Sequence, residues 1–152
     1  MLPSQAQAPD FTLPSLDGAN VALKELWQTG PVLLVFFKNS CPTCQLTFPF
    51  LERLHRGKVK VMAISQDDAK DTAAFHRRFG ISLPTLLDPK PQYAASNAYG
   101  ITSVPSLFWV DAGGSIGWSD SGFDRARLEQ LGRDAGIETF AKDEAVPAFQ
   151  AG

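Results

Sequence analysis

The stretch VLLVFFKNSCPTCQLTFPF, residues 32–50, contains both cysteines of the 152-residue chain. Its first part, through Phe37, is continuously apolar. That run is far short of the ~20 residues a membrane span needs, and it has the length and pattern of a strand buried on both faces. After Lys38-Asn39-Ser40 the pattern becomes helical: Leu46, Phe50 and Leu54 recur every four residues. Pro42 suits the first helical position, where its missing N–H has no partner to lose. Pro49 lies inside the helix, removes the bond to the Gln45 carbonyl and is expected to kink it. The stretch therefore reads as strand, turn, helix, with Cys41-Pro42-Thr43-Cys44 at the junction.

That junction is where a sulfur becomes reactive. The first turn of a helix has unpaired N–H groups and the positive end of the macrodipole, so a sulfur held there is stabilised as thiolate. Cys41, at the mouth, is the expected attacking thiol. Cys44 sits one turn further in, where it is shielded and can attack a mixed disulfide from within. A spacing of three also lets both sulfurs come within bonding distance on one turn. Two other readings compete: ordinary buried cysteines, or half of a zinc site completed by His55 and His76. These are the only histidines, 21 positions apart on two different expected helices. Spacing and placement together favour the redox pair, with no metal and no cofactor.

Working outward, FTLPSLDGANVAL (11–23) reads as two short strands around the turn dipeptide Asp17-Gly18. KVKVMAISQ (58–66) is a second buried strand. DTAAFHRRFG (71–80) is a helix with Asp71 as its cap and Gly80 as its left-handed stop. LPTLLD (83–88) is a short extended piece, and PQYAASNAYG (91–100) repeats the helix-then-glycine pattern. SLFWVD (106–111) and SIGWSD (115–120) flank Gly113-Gly114 as a hairpin. DRARLEQLGRDAG (124–136) is the closing helix, capped by Asp124. Residues 137–152 have weak periodicity and are expected to form a partly mobile tail. Pro105 opens a buried strand in SVPSLFWV (103–110), and a cis Val104–Pro105 bond is one reading of it; a trans loop proline is the other. The expected fold class is α/β, with a central mixed sheet flanked by helices, in one domain over residues 1–136.

The bulk numbers bound the function. Hydrophobic residues make up 44% of the chain, enough for a core without disulfide or metal support. The net charge is −2, with no Lys/Arg block to serve as an electrostatic footprint for nucleic acid. The opening MLPSQAQAPD has no basic region followed by an apolar one, so the sequence as given carries no signal peptide and reads as cytoplasmic; a periplasmic or other extracytoplasmic location would require a signal already removed.

With these residues in place, the chain resembles the thioredoxin-like superfamily, and within it the TlpA/ResA-type thiol–disulfide oxidoreductases of the wider AhpC/TSA–redoxin group. The resemblance covers roughly residues 8–136. It rests on APDFTLPSLDG, VLLVFFKNSCPTC, Pro49 five residues after the second cysteine, YGITSVPSLFWVD and the Gly-Gly hairpin. It implies a thioredoxin-like fold with an N-terminal β-hairpin extension. It also implies Cys41 as nucleophile, Cys44 as resolving thiol, Pro105 packed beside the sulfurs and the Val104 backbone pairing with an extended partner segment. The implied partners are disulfide-containing or dithiol proteins and an upstream redox partner. A groove for them is expected from Phe37 to Pro42, Val104 and the loop around 80–85.

Three positions depart from the family pattern. Val35 stands where a thioredoxin has a buried Asp, Thr47 where ResA-like proteins have a Glu, and Ser40 where many members have a Trp. The carboxylate that handles the resolving thiol's proton is therefore missing from both expected places, leaving water, Asp67 or Asp68. Lys38 would favour the Cys41 thiolate if its ammonium pointed at the sulfur; a solvated lysine is the alternative. Pro42 and Thr43, between the cysteines, carry no charge and give no push toward a strong oxidant, so a reductant or isomerase-like role is favoured. Val104 pulls mildly the other way. A peroxiredoxin-like peroxidase is the rival enzyme, but the Pro-x-x-x-Thr/Ser-x-x-Cys frame fits neither cysteine. A copper metallochaperone is the rival binding function, but it would use a wider cysteine spacing and a nearby histidine.

Overall fold

A computed structural model describes residues 1–152. A hairpin of β1 (Thr12–Pro14) and β2 (Asn20–Ala22) opens the fold. It turns where Gly18 adopts φ +95°, a conformation that side chains resist. Helix α1 (Leu23–Trp27) then leads to β3 (Val32–Phe37), α2 (Pro42–Arg56), β4 (Val61–Ser65), α3 (Ala69–Phe79) and β5 (Thr85–Leu87). Next come α4 (Ala94–Ala98), the hairpin β6 (Ser106–Val110) and β7 (Ile116–Ser121), β8 (Phe123–Asp124), α5 (Arg125–Asp134) and β9 (Phe149–Gln150). No helix is long and apolar enough to cross a membrane.

The central sheet has the order β5-β4-β3-β6-β7. β3, β4 and β5 are parallel, and β6 and β7 run antiparallel to them, so the sheet is mixed. All six residues of β3 are fully buried, as its unbroken apolar run requires of a central strand. The two-residue period of the strand divides them. Leu33, Val35 and Phe37 join a core with α2, α3 and α5. Val32, Leu34 and Phe36 join a second core with α1, α4 and the N-terminal hairpin. Helices therefore cover both faces.

Helix α2 runs unbroken to Arg56 with Pro49 inside it. At the start of α3 the cap is Asp68, not Asp71: Asp68 Oδ1 accepts the Asp71 N–H at 2.8 Å. Both residues suit a cap by type, and Asp68 takes the role because its backbone is extended (ψ 174°) while Asp71 is already helical. Gly80 closes α3 in the left-handed conformation and Asp124 caps α5, as their positions predict.

The chain after α5 turns back onto the domain. Thr139 and Phe140 are buried, and the Phe140 ring lies 4.5 Å from that of Phe50 in α2. Arg53 grips this segment with a bidentate pair to Glu144 (2.6 and 2.7 Å) and a bond to the Thr139 carbonyl (2.9 Å). β9 then pairs antiparallel with β8, which brings residues 149–152 to the cysteine end of the sheet.

Candidate active site

The site begins where β3 ends. Asn39 holds the turn: its N–H donates to Asp67 Oδ2 at 2.6 Å and its carbonyl accepts from Gln45 Nε2 at 2.9 Å. Cys41 follows as the N-cap of α2, in extended backbone (φ −84°, ψ 115°), with Pro42 exposed at the first helical position. Its sulfur takes the place a capping oxygen normally fills, accepting the Cys44 N–H at 3.2 Å. The Cys41 thiol also reaches the Val104 carbonyl at 3.3 Å. Cys41 is partly exposed and Cys44 is fully buried.

This geometry separates the two thiols. The hydrogen bond from the Cys44 side chain, helped by the backbone N–H groups of Cys44 and Thr43, lowers the Cys41 pKa to about 6 against the cost of burial. Cys44 moves the other way. Burial pushes its pKa far up, and its hydrogen bond to Cys41 and the nearby charge of Asp67 add to that.

The loop facing the cysteines carries a cis Val104–Pro105 peptide, the minority form for a proline and one of the two sequence readings. Ser106 Oγ donates to the Ser103 carbonyl (2.7 Å) and the Gly122 N–H to the Pro105 carbonyl (2.8 Å), which hold the loop in place. Thr43 is buried, its hydroxyl donating to the Ala151 carbonyl at 2.7 Å and accepting from Gln150 Nε2 at 2.9 Å.

The Lys38 ammonium sits over the Tyr93 ring, 5.4 Å from its centre. It lines a cavity of about 250 Å³ beside Val104, together with Gln66, Ser96 and Asn97.

Neither position where the family carries a carboxylate holds an acid here. Val35 is packed in the sheet opposite Leu107, and the Thr47 hydroxyl is spent on the Thr43 carbonyl at 2.6 Å. Asp68 is occupied by its cap. Asp67 is the carboxylate whose charge bears on Cys44. The loop at 80–84 does not reach the groove. It enters β5, and because β5 is parallel to β3 it lies at the opposite end of the sheet from the cysteines, tied by Ser82 to Glu52. His76 is likewise structural, between the Ile81 carbonyl (3.2 Å) and Thr85 Oγ1 (3.0 Å). No group of three or more His, Cys, Asp and Glu side chains gathers anywhere in the chain. Sequence reasoning missed the arrival of residues 149–152 at Thr43. Nothing in FQAG signals it, because a two-residue strand has no periodicity to read.

The chain was compared with known proteins. The sequence model of the AhpC/TSA family matches residues 5–119. The thiol-disulfide oxidoreductase ResA of Geobacillus thermodenitrificans is 30% identical over 114 residues, 72% of this chain and 64% of that protein. The thioredoxin-like protein YneN of Bacillus subtilis is 30% identical over 117 residues, 72% of this chain and 66% of that protein. This chain thus spans just under two thirds of the length of these relatives. Among solved structures, one assigned as the thiol:disulfide interchange protein DsbE of Chlorobium tepidum superposes with a TM-score of 0.76 at 26% identity, covering 89% of this chain and 99% of that one. The thioredoxin domain of a thiol-disulfide oxidoreductase from Bacteroides vulgatus shares the fold, with a TM-score of 0.77 at 20% identity over 88% of this chain and 98% of that one.

Proposed function

The chain belongs to the AhpC/TSA family, and on that premise we propose that it is a thiol–disulfide oxidoreductase, exchanging two electrons between Cys41–Cys44 and partner proteins. One observation carries the reading. On a single helical turn, the partly exposed Cys41 sulfur caps the helix by accepting the Cys44 N–H at 3.2 Å, which favours its thiolate, while Cys44 is fully buried, which favours its thiol. That asymmetry is what ordered disulfide exchange requires.

The Cys41 thiolate attacks one sulfur of a partner disulfide. The other partner sulfur leaves as thiolate, and a Cys41–partner mixed disulfide forms. Cys44 then gives up its proton and attacks Cys41 Sγ, expelling the second partner thiolate. The partner ends as a dithiol and the chain as a Cys41–Cys44 disulfide, which an upstream dithiol donor reduces again. Asp67, the partly buried carboxylate whose charge bears on Cys44, is the proposed acceptor of that proton. Pro42 and Thr43 set the first turn on which the sulfurs sit. Val104 and Pro105 form the wall against which the partner segment lies, and Lys38 lines the cavity beside it.

The test is disulfide reduction with a dithiol donor. Cys41→Ser should abolish turnover. Cys44→Ser should stall as a mixed disulfide whose mass equals the sum of chain and partner. Turnover that survives Cys41→Ser would refute the proposal. The equilibrium potential of the pair then sets the direction: near about −270 mV it is an electron donor, and near about −120 mV an oxidant.

A further inference from the structure

Residues 148–152 lie across the face that a partner of the cysteines must approach. β9 is held to β8 through two residue pairs, Phe123 with Gln150 and Asp124 with Phe149. The Ala148 carbonyl accepts the Arg125 N–H at 3.0 Å. Ala151 and Gln150 latch onto Thr43, the residue between the cysteines, through its hydroxyl (2.7 and 2.9 Å). Gly152 presses against the loop: a Cβ there would come within 2.0 Å of the Val104 carbonyl oxygen and 2.7 Å of its carbon. Gly122 opposite is also tight, since a Cβ on it would meet the Gln150 carbonyl at 2.5 Å.

Val104 is the natural docking point for an incoming chain. Its carbonyl is 3.3 Å from the Cys41 sulfur, so any segment joined to that sulfur passes within reach of it. No backbone hydrogen bond of the chain uses the Val104 N–H or carbonyl. A backbone that no other strand pairs, beside a nucleophile, is an edge that an extended polypeptide can join. Gly152 now stands against that edge.

We infer that residues 149–152 form a displaceable strap over the partner groove, and that an extended polypeptide segment of the partner must dislodge it to reach Val104 and Cys41. The strap is built to release. A two-residue strand pair is marginal by itself. Its one large apolar side chain, Phe149, is 58% exposed and belongs to neither core. The firm anchors, Phe140 and the Arg53–Glu144 pair, lie outside the strap, so residues 149–152 can be displaced while the segment before them stays packed. Cys41 remains partly exposed beneath it, so a small disulfide can reach the sulfur while a protein segment cannot.

The inference rests on the oxidoreductase reading for its meaning, and the experiments separate the two. A chain truncated after Pro147, and Gln150→Ala in the full chain, are compared with the parent for reduction of insulin and of dithiobis-nitrobenzoate. Both variants should reduce insulin several-fold faster and leave the small disulfide unchanged. A fall with both substrates, or no change with insulin, would show a structural segment and not a gate. Independently, the Cys44→Ser chain is joined chemically at Cys41 to a cysteine peptide through an activated disulfide, and amide hydrogen exchange is followed over 148–152. The strap predicts faster exchange there in the conjugate and unchanged exchange around Phe140. Unaltered protection at 148–152 overturns it. If no chain reduces insulin and none forms a Cys41–Cys44 disulfide in thiol redox buffer, the oxidoreductase reading fails, and the exchange result alone decides the strap.

Discussion

The separation of the two thiols predicts a particular rate profile for Cys41. With its pKa lowered from 9.0 to about 6, the thiolate fraction at pH 5 exceeds that of an ordinary thiol by roughly 900-fold, while lower basicity costs roughly 20-fold in nucleophilicity at a Brønsted slope of about 0.45. The net advantage over an unperturbed cysteine is then roughly 40-fold at pH 5, roughly 4-fold at pH 7, and a deficit of roughly 10-fold at pH 9. The curves cross, and that crossing is the signature. It is read by alkylating the reduced protein with iodoacetamide across pH 4–10, beside a cysteine peptide and the denatured chain, with mass analysis to place the label. Label should enter Cys41 alone in the native chain, because Cys44 is buried and its proton is held. In Cys44→Ala the largest stabilising hydrogen bond is gone, so the midpoint should rise and the low-pH advantage shrink. A native rate that keeps climbing through pH 8–9, parallel to the peptide, would refute the reasoning. So would a midpoint unmoved by Cys44→Ala.

Other outcomes follow from the same geometry. The potential of the pair should fall by about 59 mV per pH unit below pH 6 and by about 30 mV above it, with no second break up to pH 9, since each proton taken up on reduction is worth about 30 mV per pH unit for two electrons; a second break near pH 8 would mean that Cys44 ionises there. Cys41 is an acid with a depressed native pKa, so it stabilises the reduced fold fully above pH 9 and loses that contribution as pH falls toward 6. The Tm difference between the reduced parent and Cys41→Ser should shrink over that window. Glu144, held down to about pKa 2 by Arg53, adds stability present above its ordinary pKa of 4.5 and lost as pH falls toward 2. Glu144→Gln should therefore lower Tm modestly at pH 7, because the pair is partly solvated, and not at all at pH 2. Phe48→Ala removes a fully buried ring packed 4.3 Å from Phe37 and 5.3 Å from Phe75; denaturant unfolding should show a loss of about 3–5 kcal/mol.

The family resemblance and the local patterns together foretold the mixed sheet, the strand–turn–helix and the thiol pair at its junction. Those features are written in short range: an unbroken apolar run of strand length suits a central strand, and Pro42 suits the first position of the helix that follows. The choice of Asp68 over Asp71 as a cap was not legible, because both residues are of the right type and only the local backbone decides. The loop at 80–85 was misplaced for a different reason. Its position depends on the direction of β5 relative to β3, which neither segment encodes alone.

Sequence by itself singled out the two sulfurs and put them at a strand–helix junction. Their spacing puts one at the N-cap and the other one turn further in, where the packed core then buries it. Tertiary structure alone decided what surrounds them. It put Val104 over Cys41, turned Lys38 toward Tyr93 and laid residues 149–152 on Thr43. Contacts between positions 43 and 151 leave no periodic trace in the chain. They exist because the buried Phe140 and the Arg53–Glu144 pair fix where the return segment starts, and the β8 edge fixes where it ends.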